Sequence, residues 1–143
     1  MIMSPYHFVY PLQIRYGDLD PQGHVNNAHT VTMIEAGRSA YLVHLGLWDG
    51  QDFNNLGLIV ADVHVTYLAP IGLQQKVQVG VRVARLGNKS LTFQYTVEDC
   101  DSQKALATAE TVMVAFDYHT HQSMPVPDDW RNKIKAFEGS ELQ

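Results

Sequence analysis

Arg15-Tyr16-Gly17-Asp18-Leu19-Asp20-Pro21-Gln22-Gly23-His24-Val25-Asn26-Asn27-Ala28 sets two carboxylates, a histidine, two asparagines, a proline and two glycines between an apolar strand and a long helix. A mere change of direction needs far less polar chemistry, so a ligand or a reaction belongs there. Upstream, Tyr6, Phe8, Tyr10, Leu12, Ile14 and Tyr16 recur with period two, which predicts a strand with one buried face. Pro11 on its other face predicts a place near a sheet edge. Downstream, Asn26 or Asn27 caps a helix expected from about Ala28 to Leu45, with Gly46 as its terminator. Small residues Ala36, Gly37 and Ala40, beside Met33 and Ile34, let that helix approach a sheet closely.

Leu47 to Leu56 reads as a loop or a short extra helical turn, and four strands follow without a second long helix. Ile59 to Tyr67, Val77 to Val83 and Leu91 to Val97 alternate cleanly, with turns at Pro70-Ile71-Gly72, Gly87-Asn88 and Asp101-Ser102-Gln103. The last long strand carries Ala105, Ala107 and Ala109 on one face and Leu106, Val112, Val114 and Phe116 on the other. The alanine face suits a closely packed helix. Pro125 to Phe137 predicts a short amphipathic helix anchored by Trp130, Ile134 and Phe137. The expected architecture is α+β: one domain over residues 1–143, with a long central helix packed on a curved five-stranded antiparallel sheet, its last four strands a hairpin-connected meander. A single helix cannot cover such a sheet, so a homodimer or homotetramer is expected.

The net charge of −5 and only ten scattered Lys and Arg argue against a nucleic-acid partner. The single cysteine, Cys100, excludes an intrachain disulfide framework and suits a reducing compartment. No apolar run reaches the roughly 18–20 residues of a membrane span. Met1-Ile2-Met3-Ser4-Pro5 lacks the basic and apolar regions of a signal peptide. The expectation is a cytoplasmic protein without a membrane partner.

A strand, then Gly17-Asp18-x-Asp20-x-x-Gly23-His24-Val25-Asn26-Asn27, then a helix carrying Glu35 and Arg38, resembles the hotdog-fold acyl-CoA thioesterases, specifically the 4-hydroxybenzoyl-CoA thioesterase-like family. Arg85-Leu86-Gly87-Asn88-Lys89-Ser90-Leu91 resembles that family's strand-turn-strand element. Pro125-Val126-Pro127 with Trp130 resembles its ending. The resemblance implies hydrolysis of an acyl-CoA or acyl-carrier-protein thioester without metal or organic cofactor. It makes Asp20 the catalytic carboxylate, either attacking the carbonyl or acting as base towards water. The backbone amide of Asn27, with Ala28 as second choice, offers a helix N-terminal N–H to the thioester oxygen. Gly23 lets the chain pass close to substrate, Pro21 stiffens that approach, and His24 neighbours the thioester. Tyr67 and the strand from Ile59 line an acyl tunnel. Arg85, Lys89 and Ser90 match the positions that meet coenzyme A phosphates and pantetheine. Where relatives often carry an aromatic, this chain has Thr30, and Met33-Ile34 replaces an aromatic pair, so acyl specificity is expected to differ.

Plainer roles stand beside these. Asp18 reads as a turn or cap residue. Asp18, Asp20, His24 and His29 invite a metal, but without the regular spacing of a zinc motif. Glu35 and Arg38 pair on one helix face, with Glu35 a fallback carboxylate. His119 and His121 read as surface residues and Cys100 as inert. The alternative function is a non-catalytic hotdog protein that binds acyl thioesters. A hotdog dehydratase is weaker still, since no His-Asp hydratase signature is present.

Overall fold

Asn26 starts the helix on which the molecule is organised. Its side chain accepts the Ala28 N–H at 2.8 Å, and α1 runs Asn27–His44. The helix ends at Gly46, whose φ of +73° lets its N–H reach Val43 O while the Leu47 N–H reaches Leu42 O. Those two bonds close a Schellman motif. The computed structural model describes residues 4–139 and 142–143; the reading of residues 1–3 as no leader falls outside them.

The strands are β1 (Phe8–Gln13), β2 (Leu58–Tyr67), β3 (Lys76–Leu86), β4 (Ser90–Asp99), β5 (Ala105–Asp117) and a two-residue β6 (Gln122–Ser123), followed by α2 (Asp128–Glu138). All pair antiparallel in the order β1-β3-β4-β5-β2, with β6 on β5. Together with α1 this is the expected hotdog arrangement, and Pro11 does lie on an edge strand. The expected meander holds only for β3-β4-β5. β2 pairs instead along β5, because the chain leaves α1 at the far side of the sheet and must cross its end to begin β3. Alternation of apolar residues defines strands; it does not order them.

Two further expectations change. β1 stops at Gln13, where the backbone turns into a 3-10 turn over Tyr16–Asp18, and Tyr16 is 84% exposed rather than buried. Tyr6 crosses to the sheet face opposite α1 and covers Gly80, where a Cβ would lie 2.9 Å from the ring. The close helix–sheet approach is made on β3, not on the alanine row of β5: a Cβ at Gly37 would lie 2.8 Å from Val79 Cγ1 and 3.2 Å from Val81 Cγ2. Val77, Val79, Val81 and Val83 of β3 and Leu91, Phe93, Tyr95 and Val97 of β4 are fully buried beneath α1. On β2, by contrast, Val60, Val63 and Tyr67 keep 44–45% of their surface exposed. The core therefore sits over the middle of the sheet and thins towards the β2 edge. Among the described residues, no helix is long and apolar enough to cross a membrane.

Two polar groups cross this core. Arg38 on α1 donates to the Tyr95 hydroxyl at 3.2 Å, and that hydroxyl contacts Thr111 at 2.7 Å. Glu138, buried at the end of α2, accepts the Tyr41 O–H at 2.6 Å and the Val83 N–H at 3.0 Å, which ties α2 to both α1 and β3. Burial pushes the Glu138 carboxyl above its ordinary range, against the opposing pull of Tyr41, Val83, His7 and Arg82. A carboxyl raised on folding holds its proton better in the native state, so it favours folding at low pH and that contribution fades as pH rises through the raised value. Glu138→Gln keeps an acceptor without a charge. The wild type is expected to match this variant below the ordinary glutamate value of about 4.3 and to fall behind it as pH rises towards neutrality, read as melting temperature against pH.

Candidate active site

The quoted stretch folds into a miniature hairpin. The Asn26 N–H donates to Asp18 O at 2.9 Å, Leu19 and Val25 bridge antiparallel, and the Asp20 N–H donates to His24 O at 3.0 Å. Gly23 closes the tip by donating to Asp20 O at 2.9 Å, with a φ of +81° that a side chain would resist. The Asp20 carboxylate turns back and accepts the Gln22 N–H through Oδ1 at 2.9 Å. Val25 ties the hairpin to the body of the protein through its N–H on Ile71 O at 2.8 Å.

Asp18 braces this turn from inside. It is 5% exposed and accepts the Arg15 N–H at 2.8 Å, the Arg15 guanidinium at 3.2 Å and, at 3.0 Å, His29 Nδ1. Burial alone would raise its pKa. The Arg15 amide, the Arg15 guanidinium and His29 together outweigh that and hold the carboxyl below its usual range. Asp18 is thus more than the turn residue expected of it, and the partner on α1, His29, is one that local sequence does not announce.

Beside the hairpin lies a cleft of about 330 Å³. Asp20, Gln22, His24, Asn27, Thr30 and Tyr67 supply its polar lining; Val25, Leu68, Ala69, Pro70, Ile71, Leu106 and Ala107 its apolar walls. The first N–H groups of α1 differ in what they face. Ala28 donates to Asn26 Oδ1, while His29 and Thr30 both donate to Asn26 O. The Asn27 N–H has no hydrogen-bond partner among the described residues, and Asn27 lines the same cleft as Asp20. The Tyr67 hydroxyl donates to Asn27 O at 2.9 Å and so holds the following peptide, between Asn27 and Ala28.

Asp20, His24, Asn27 and Tyr67 therefore line one cleft. Gly23 and Ala28 do not line the cleft: Gly23 lines a depression that shares Asp20 with it, together with Tyr16, Leu19 and Pro21, and the Ala28 N–H is taken by the cap. Arg85, Lys89 and Ser90 lie at the other end of the sheet. Tyr67 pairs with Ala107 near the cleft and Ser90 pairs with Val114, so the intervening run of β5 separates them by about 23 Å, at roughly 3.3 Å per residue. Arg131 of α2, which sequence reading passed over, donates to Gly87 O and Asn88 O and props that distant turn. Glu35 lies outside the cleft and pairs with Arg38 at 3.6 Å. Burial and the carboxylates of Asp101, Asp99 and Glu98 push the Cys100 thiol up, away from nucleophilic use. Of the residues that invited a metal, Asp18 and His29 bind each other, while Asp20 and His24 line the cleft.

Residues 14–134 match the thioesterase-like superfamily. The chain belongs to it. A thioesterase from Thermus thermophilus, solved in complex with coenzyme A and zinc, is 32% identical and superposes with a TM-score of 0.84 over 96% of this chain and 98% of that one. The long-chain acyl-CoA thioesterase FadM of Escherichia coli is 21% identical over 126 residues, covering 88% of this chain and 96% of its own. An acyl-acyl carrier protein thioesterase of Arabidopsis thaliana is 24% identical over 136 residues, 94% of this chain and 70% of its own. This protein is accordingly a thioester hydrolase.

Removing the Asp18 carboxylate tests the brace. Asp18→Asn is expected to lower stability by about 1–3 kcal/mol at neutral pH, read as a shift in urea midpoint. A carboxyl lowered on folding stabilises above its unfolded value and ceases to do so as pH falls through the native one. The gap between wild type and Asp18→Asn should therefore close on acidification below about pH 4.

Proposed function

We propose that this thioesterase hydrolyses an acyl-CoA at the cleft between the hairpin and the start of α1, with Asp20 as the reacting carboxylate and the Asn27 N–H as the oxyanion donor. The observation that carries this reading is that Asn27 lines the cleft with Asp20 and its N–H has no partner among the described residues, while the next three amides of the helix are already bonded. As a base, Asp20 takes a proton from water, and the water oxygen bonds to the thioester carbon. As a nucleophile, it bonds to that carbon itself and gives a mixed anhydride that water then opens. Either route moves negative charge onto the carbonyl oxygen, where a fixed N–H at the positive end of a helix stabilises it. On the base route, collapse breaks the carbon–sulfur bond and the departing thiolate takes up the proton that Asp20 took from water. On the nucleophile route that bond breaks as the anhydride forms, and the water that then opens the anhydride restores Asp20 and supplies the proton that neutralises the thiolate. The relatives named for acyl-CoA, and the neighbour bound to coenzyme A, support a CoA thioester over a carrier-protein one.

The phosphate-bearing half of that substrate needs cations, and Arg85 and Lys89 are out of reach within one chain. We therefore also propose a homodimer formed edge to edge through β2. Its outer edge borders no strand among the described residues, and its apolar side chains are half exposed. The Tyr67 end of β2 adjoins the cleft and its Leu58 end adjoins the β3–β4 turn. A two-fold axis that pairs β2 antiparallel with its copy turns the partner's β3–β4 turn towards this cleft's end of the combined sheet. Arg85, Lys89 and Ser90 then serve the neighbouring site.

Asn27→Pro deletes one hydrogen-bond donor and little else. Proline is suited to the first helical position, and Asn26, with φ −61° and ψ 142°, already has the backbone that precedes a proline. This variant is expected to keep its helical circular dichroism and lose about 10²–10³ in kcat, with KM little moved, when thiol release from a panel of aliphatic and aromatic acyl-CoAs is followed. Asp20→Asn should lose about 10²–10⁴ on the same panel. Hydrolysis by Asp20→Asn at the wild-type rate would sink the assignment of the carboxylate.

A further inference from the structure

We propose that Thr30 reads an oxygen substituent on the acyl group, so that the substrates hydrolysed best carry a hydroxyl or keto oxygen close to the thioester carbonyl. The inference rests on the cleft being the hydrolytic site. Thr30 is 2% exposed, yet it lines that cleft, and its hydroxyl has no hydrogen-bond partner among the described residues. The other polar groups of the lining are either engaged or peripheral. The Tyr67 hydroxyl is held by Asn27 O, and Gln22 and His24 lie on the exposed rim.

Around Thr30 the walls are Val25, Ile71, Leu106 and Ala107, all buried and apolar. A plain hydrocarbon chain seated there would strip water from the Thr30 hydroxyl and return nothing to it, a handicap of about tenfold in affinity or rate. An oxygen on the acyl chain removes that handicap. The spacing suits it. Thr30 follows Asn27 by three residues, which puts the two on one helix face with Cβ atoms about 5–6 Å apart. A substrate whose carbonyl oxygen meets the Asn27 N–H can then place an oxygen on its β-carbon within hydrogen-bond reach of Thr30. A threonine hydroxyl both donates and accepts, so β-hydroxy and β-oxo groups satisfy it alike. Ala107 across the cleft leaves room for the substituent.

The test compares butanoyl-, β-hydroxybutanoyl- and β-oxobutanoyl-CoA, and the same three octanoyl thioesters, as substrates for wild type, Thr30→Val and Thr30→Ser. Valine keeps the shape and removes the hydroxyl; serine keeps the hydroxyl. The expected result is a wild-type kcat/KM about tenfold higher for an oxygenated thioester than for its unsubstituted twin. Thr30→Val should lose that preference from both sides, with kcat/KM rising up to about tenfold for the unsubstituted thioester as the stranded hydroxyl is removed and falling for the oxygenated one, and Thr30→Ser should retain it. The separate β-hydroxy and β-oxo arms show which oxygen is preferred. An equal loss by Thr30→Val on all substrates would overturn the inference, since Thr30 would then hold the attacking water or the helix rather than the acyl group. So would a wild type that hydrolyses the oxygenated and plain thioesters equally well. A wild type that releases CoA from none of them would instead overturn the hydrolytic reading of the cleft, and the inference with it.

Discussion

A buried carboxylate beside a tight turn fixes the geometry of this protein's cleft. Asp18 draws the Arg15 amide, the Arg15 guanidinium and the His29 ring around itself, and its own carbonyl accepts the N–H of Asn26, the cap of α1. Those contacts join the end of the β1 segment, the hairpin and the first turn of the helix at a single residue. Asp20 lies two residues further on, in a turn with almost no slack. Its backbone is bonded on both sides, to His24 and to Gly23, and its carboxylate is pinned by Gln22. The position of Asp20 relative to the Asn27 N–H is therefore set by hydrogen bonds that exist before any substrate arrives. Such preorganisation matters because misplacement of a reacting group by about 1 Å can cost a hundredfold in rate.

The uneven burial of the sheet explains why the cleft lies where it does. α1 crosses closest to β3, where Gly37 admits Val79 and Val81, and the helix cannot also cover β2. The gap that remains between the start of α1 and the ends of β2 and β5 is the cleft. The same geometry leaves β2 half bare along its length. Cleft and exposed edge are thus two consequences of one helix being narrower than one sheet.

Much of this was legible in the sequence, for reasons that can be named. Strand alternation is an intrinsic property of a pleated backbone, so β3 and β4 were readable to within a few residues. Asn26 as cap and Gly46 as terminator follow from orphan backbone groups that local side chains or a positive φ must satisfy. Asp20 and Asn27 stood out through motif resemblance together with that helix start. Contacts between residues far apart in the chain were hidden. Nothing near Tyr67 announces that its hydroxyl reaches Asn27, and nothing near Glu138 announces that it will be buried on Tyr41 and Val83. The place of β2 beside β5 was hidden for the same reason. Arg85, Lys89 and Ser90 were placed by motif resemblance, and the register of β4 on β5 puts them at the far end of the sheet from this chain's own cleft, a distance that local sequence does not announce.

The short side chain of Asp20 is itself part of the design. A longer carboxylate would carry its oxygens on a flexible stem and decouple them from the hairpin. With one methylene between backbone and carboxylate, and with Oδ1 held by the Gln22 amide, the freedom of the group is small and its second oxygen has no protein donor among the described residues. The Asn27 N–H, the donor proposed for the oxyanion, follows the same economy. A main-chain N–H at the first turn of a helix has no side-chain torsion to lose; His29 and Thr30 hold the carbonyl of its peptide, Asn26 O, and Tyr67 holds the next peptide through Asn27 O. Both partners are fixed by backbone rather than by side-chain packing, so the cleft walls are free to vary in size and polarity without disturbing them. On the proposed reading, that separation allows a hydroxyl at Thr30 to sit among apolar residues beside Asp20 and Asn27 without taking part in hydrolysis.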